Sequence, residues 1–151
     1  MPGRPRDVLN SHDHGPKIHT DVSGRHDHGP PDSGPSGLTP AGLVKHLTGV
    51  ERFWFSIDFA GHDLPWPWTE QNPGGFLLAQ EDSLTDLIDA YAAECERSRA
   101  VVTDAALDDR ARADGNAFTL RYALAHMIQE TARHCGHLDL LRESIDGQTG
   151  E

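Results

Sequence analysis

Apolar residues recur at three- and four-residue intervals in three separate stretches of this chain, and each stretch predicts a helix. The first stretch contains Leu43, Leu47, Val50, Trp54 and Ile57. Thr39 followed by Pro40 is a start signal, because a hydroxyl caps free N–H groups and a proline suits the first helical position. A helix over about 40–57 is therefore expected. The second stretch comes after Ser83-Leu-Thr-Asp86, which resembles a capping box with Asp in place of the preferred Glu. It predicts a helix over about 84–101, with Leu84, Leu87, Ile88, Tyr91, Cys95 and Val102 facing inward. The third opens at Thr119 and runs to about Ile145, where Gly147 supplies a stop. At ~100° per residue, Leu120, Leu124, Met127, Thr131, Leu138 and Ile145 fall on one side of it. The fold class is all-α.

The connections are equally legible. Residues 58–81 hold Gly61, Pro65, Pro67, Pro73, Gly74 and Gly75, which forbid a regular element. Trp66, Trp68 and Phe76 are expected to pin this loop to the bundle, since each aromatic buries a large area. A second reading makes them one wall of a substrate pocket. Residues 104–117 are polar, and Gly115-Asn116 marks a break.

Residues 1–37 differ in kind. Their aliphatic residues are Met1, Val8, Leu9, Ile18 and Val22, without a period, among Gly, Pro, Asp, Ser and His. Such a segment cannot bury enough apolar area to offset its ordering entropy, so a disordered tail is expected, with the folded domain at 38–151. The tail repeats His12-Asp-His14-Gly-Pro16 as His26-Asp-His28-Gly-Pro30, a pattern suited to weak adventitious metal binding in a solvated segment.

The chain carries a net charge of −11, which repels phosphate backbones and argues against nucleic-acid binding. No apolar run is long enough to span a bilayer. Arg4 and Arg6 have no apolar stretch behind them, so no secretory signal is expected. Cys95 and Cys135, without a CxxC spacing, suggest a reducing cytoplasm and two small core or boundary residues.

Against this background three polar side chains stand out on apolar faces. Glu130 and His134 are four apart on the margin of the third helix's apolar face, and His46 lies inside the stripe of the first. A buried, unpaired carboxylate is expensive, so Glu130 is exposed, paired with a cation or bound to metal. His46 likewise needs a partner. If the three converge they can grip one divalent ion, and three protein ligands leave an open position, the pattern of a catalytic site. The same residues also suit a structural hydrogen-bond network, since Glu and His at this spacing stabilise ordinary helices. His126 and His137 lie slightly further round.

Two segments carry a resemblance. Leu43-Val-Lys-His46-Leu and His126-Met-Ile-Gln-Glu130-Thr-Ala-Arg-His134-Cys-Gly-His137-Leu-Asp-Leu-Leu-Arg-Glu-Ser-Ile-Asp146-Gly147 resemble the DinB-like superfamily. More narrowly they are similar to its actinobacterial mini-DinB branch, with the mycothiol-dependent maleylpyruvate isomerase among its relatives. The resemblance spans about residues 38–151. It implies an up-down four-helix bundle with a divalent metal, commonly zinc or nickel, held here by His46, Glu130 and His134. One departure matters: the family's amphipathic first helix is replaced by the polar tail, leaving three clear helices. The apolar groove so exposed recruits a partner or aggregates. Three explanations compete: a homodimer that covers the groove, a wrong start or frameshift, and a degraded paralogue. The tail's break in composition favours a disrupted or divergent N-terminus.

Two functions of different classes are compatible with these residues. In the first, the metal lowers the pKa of a thiol such as mycothiol, which is transferred to a small electrophile or assists its isomerisation. His137 or His126 then serves as proton shuttle or outer-shell partner, with His137 the candidate catalytic residue. In the second, the chain is a non-catalytic helical module whose groove docks a partner helix.

Overall fold

The computed structural model describes residues 37–150; the tail expectation therefore falls almost wholly outside the described residues. Three α-helices are arranged in order: α1 (Pro40–Glu51), continued by a π-helical segment (Arg52–Phe59), then α2 (Leu84–Val102) and α3 (Leu120–Asp146). Among the described residues there is no strand beyond two isolated bridges, Thr69 with Asn72 and Arg110 with Thr119. The all-α, DinB-like expectation with three helices holds.

Local chemistry accounts for the helix ends. Thr39 is extended, and its hydroxyl accepts the Gly42 N–H at 3.0 Å, with Pro40 opening the first turn. Ser83 accepts the Asp86 N–H and also donates to its carboxylate at 2.6 Å. Gly147 closes α3 at φ +72°, a backbone angle that glycine adopts without a Cβ clash.

The first helix departs from expectation beyond Glu51. The chain stays helical to Phe59, two residues past the predicted end, but Ala60 N–H bonds back to Phe55 O, five residues away. The sequence explains why this segment is enclosed: Phe53, Trp54, Phe55, Ile57 and Phe59 leave no polar side of any width, and all five are buried. Phe53, Trp54, Phe55 and Phe59 form a core cluster with Val50, Leu120, Ala123 and Met127, and Trp68, Val102 and Phe118 pack against it. Full burial of a side chain such as Phe59 contributes about 1.5–3 kcal/mol. Backbone bonds from Arg112 N–H to Phe59 O and from Ala113 N–H to Asp58 O tie the 103–119 segment to this core.

α2 corrects the sequence reading. Leu84 and Ile88 were expected inside, yet each is about half exposed, at 50% and 49%. The buried residues of α2 are Glu94 and Ser98, which meet α1. Glu94 accepts from Arg52 and Arg97. The apolar stripe of α2 instead borders an open groove facing α3. Ile145 of α3 is also half exposed for want of a covering element, and Cys135, expected at a core or boundary position, is exposed. Among the described residues no helix is long and apolar enough to cross a membrane.

Candidate metal centre

His46 sits nearly two turns into α1 between Leu43 and Leu47, so helical geometry turns its ring inward with theirs. Glu130 and His134 come from successive turns of α3. Where α1 and α3 meet, each of the three offers one ligand atom, and these atoms lie within 4.8 Å of one another. His46 Nε2 is 3.3 Å from Glu130 Oε1, and His134 Nε2 is 3.1 Å from the same oxygen. The two histidines are only 8% and 5% exposed.

The loop before α2 completes the site. Gly74 O accepts a hydrogen bond from His46 Nδ1. Phe76 stacks on the His46 ring at 4.0 Å and 13°, and lies 5.9 Å from the His134 ring. This approach needs glycines. A Cβ on Gly42 would lie 2.5 Å from the Phe76 carbonyl oxygen, and Gly75 has φ +73° with Trp68 3.0 Å from where its Cβ would be. Lys45 and Asp82, paired at 2.6 Å, anchor α1 to the start of α2. Of the three loop aromatics, Trp66 and Trp68 pack on Phe53, in line with anchoring. Phe76 walls the centre.

The hydrogen-bond pattern tests whether a cation fits. A carbonyl oxygen can only accept, so His46 must carry a proton on Nδ1. A neutral ring then turns the Nε2 lone pair toward a carboxylate oxygen, acceptor against acceptor. A proton on the ring nitrogen or on the carboxyl oxygen, or a cation between the two, relieves this contact. With the rings as donors, hydrogen bonds from His134 and His46 hold the Glu130 carboxyl well below the usual carboxylate range, and Arg133 adds to this at 3.5 Å. Two imidazole nitrogens and one carboxylate oxygen converging in this way suit a divalent ion of the zinc type, with a position left for a further ligand.

His137 and His126 part company. His137 Nδ1 lies 3.3 Å from His134 Nδ1, on the edge of the His134 ring opposite Glu130. His126 instead packs on Trp54, with ring centroids 4.3 Å apart, and is not brought to the three ligand atoms. Cys95 and Cys135 are free thiols outside the cluster. The sequence reading missed Gly74 as a site residue; the Pro73-Gly74-Gly75-Phe76 run was its available signal.

A family model described as mycothiol-S-transferase matches residues 30–147. No curated protein and no solved structure matches the chain.

Proposed function

Because the chain belongs to the mycothiol-S-transferase family, we propose that it is a divalent-metal-dependent enzyme acting on a low-molecular-weight thiol of the mycothiol class and a small electrophile. The reaction is transfer of the thiol, or a thiol-assisted isomerisation. The observation that carries this reading is the convergence of His46, Glu130 and His134 on one point, with both Nε2 atoms aimed at one carboxylate oxygen. Zinc or nickel held there supplies the Lewis acidity that favours the deprotonated, nucleophilic form of the thiol. The protein's part is positional. Gly74 O holds the His46 tautomer, Glu130 offsets one positive charge, and Phe76 shields the ligand set from water.

His137, the catalytic candidate, is proposed to act through His134. With His134 Nε2 facing the ligand point, its Nδ1–H donates to His137 Nδ1 and fixes the ring plane. His137→Ala is expected to weaken divalent-metal affinity about 10–100-fold with unchanged helicity, as read by competition with a chromophoric chelator. His137→Gln, which keeps an acceptor, should recover part of the loss. An unchanged affinity in His137→Ala would remove this role.

In the same reading residues 38–151 form the working domain, and the protein acts in the cytoplasm without nucleic acid. The activity test is consumption of mycothiol with a fluorogenic electrophile. The expected result is a metal-dependent rate abolished by chelator and by His134→Ala. A rate indifferent to both would reject the proposal. The open groove favours a second reading, a non-catalytic helical module. That reading expects a chelator to leave Tm unchanged, whereas a filled metal site raises Tm by mass action.

A further inference from the structure

The apolar stripe of α2 has a particular rhythm. Leu84, Ile88, Tyr91, Cys95, Ser98 and Val102 are spaced alternately four and three residues apart. On α3, Leu124, Ile128, Thr131, Cys135 and Leu138 repeat it, and Ile145 falls one heptad after Leu138. Such 3.5-residue spacing belongs to helices that lie along one another with side chains interlocked. The two stripes wall a groove of about 600 Å³, into which Phe55 also faces. None of His46, Glu130 or His134 lines it, so the role of this face is independent of the metal reading.

The helices run in opposite directions along the groove. Val101 and Val102 at the end of α2 pack on the cluster that contains Leu120 and Ala123 at the start of α3. One end of the face is therefore concave, between Ser98 and Val102 on one side and Leu124 and Ile128 on the other. The opposite end carries half-exposed Leu84, Ile88 and Ile145, while Ile128, on the rim of the concave end, is 70% exposed. Beside the stripes, Thr85 and Ala92 on α2 and Ala125 and Ala132 on α3 are small and uncharged, while Arg99 and Glu51 put charge at the edge of the concave end and Asp139 lies further along α3. The small flanks let another backbone approach, and charge held to the edge suits the rim of an interface.

We propose that a second copy of this chain covers the face, through a two-fold axis perpendicular to α2 and α3. That operation lays the half-exposed Leu84, Ile88 and Ile145 of each copy over the concave end of the other, so both ends are covered at once. The axis passes near the middle of the face, where Tyr91 and Cys135 lie. The area is adequate. α2 has 19 residues, so the face is about 28 Å long and about 20 Å wide across two helices. Its ridged surface approaches the roughly 800 Å² per partner of a standard interface. Residues 1–36 are a poor occupant: they hold six prolines, and Val8, Leu9, Ile18 and Val22 make no four-three repeat.

Sedimentation velocity on the full chain, from about 1 to 100 µM, tests this in the affinity range of a standard interface. A dimer is expected, and Ile88→Arg and Ile128→Arg should each weaken it at least ~100-fold by burying an unpaired charge. Both positions are exposed in the single chain, so circular dichroism should show unchanged helicity. A short bis-maleimide should join two chains through Cys135, and Cys135→Ser should prevent it. A monomer at every concentration, as binding of the face by the tail or another protein would give, overturns the proposal. So does a dimer indifferent to both arginines. A dimer sensitive to both but never joined through Cys135 overturns the placement of the axis.

Discussion

His134→Ala protein is expected to bind zinc or nickel more than ~100-fold more weakly than the unchanged protein, since loss of an outer-shell partner alone costs about 10–100-fold. His134 and His46 supply the two nitrogen ligands, and each is almost wholly enclosed. Removing one leaves a single imidazole and a carboxylate, a set that water must complete. His46→Ala should match His134→Ala and should also release Phe76, which stacks on the His46 ring. The measurement needs care with the five histidines of residues 1–36, which offer their own ligands. Metal content and chelator competition are therefore best read in a background where those five are serine. About one ion per chain, lost in both alanine variants, is the expected result. One ion per chain retained in both would mean that metal binds elsewhere and that the cluster is a hydrogen-bond network. Metal binding also displaces protons from the imidazoles, so the apparent affinity should fall as pH is lowered.

Arg52→Ala is expected to destabilise the fold by about 3 kcal/mol, measured by urea unfolding. Glu94 is 0% exposed, and its Oε2 accepts from Arg52 Nε at 3.1 Å, from an Arg52 terminal nitrogen at 2.9 Å and from Arg97 at 2.6 Å. Its Oε1 has no hydrogen-bond partner. Without Arg52 the enclosed carboxylate keeps only the more exposed Arg97. Glu94→Met, which removes the charge and fills similar space, should cost less than Arg52→Ala, because exchanging a buried ion for an apolar group avoids its desolvation. The reverse ranking would show that the pair itself, and not the avoidance of an orphaned charge, stabilises this interface. Burial pushes the Glu94 carboxyl up, but hydrogen bonds from Arg97 and Arg52 outweigh it and leave it below its ordinary 4.5. A carboxyl lowered on folding contributes stability above 4.5, and that contribution is lost as pH falls through the folded value. The unchanged protein should therefore lose stability below about pH 4.5, and Arg52→Ala should show a shallower loss.

Much was legible without coordinates because it depends on neighbours in the chain. The 3.6-residue apolar periods, the caps at Thr39 and Ser83 and the stop at Gly147 act within a turn, and all four appear in the structure. The pairing of Glu130 with His134 is also local, being set by helical pitch. Direction of burial was less legible. The stripe of Leu84 and Ile88 has the spacing of a core face, yet spacing says only that residues share a side, not that anything covers it. Conversely, no periodicity in α2 marks Glu94 as buried, and the guanidinium it meets there, Arg52, comes from the π-helical segment. The π-helical segment was not predicted either, since its apolar residues suit any helix and the i→i+5 bonds answer to packing around Phe55 and Phe59.

The candidate centre divides along the same line. The sequence by itself determined the residue types, the inward turn of His46 and the shared face of Glu130 and His134, because each depends on helix geometry over a few residues. Only the tertiary structure decided that an atom from α1 meets two from α3 within 4.8 Å. It alone set Gly74 O against His46, Phe76 over its ring and His137 behind His134, while His126 went to Trp54. Those placements depend on how a glycine-rich loop and two distant helices pack, and no periodicity within one segment encodes a contact between segments 84 residues apart.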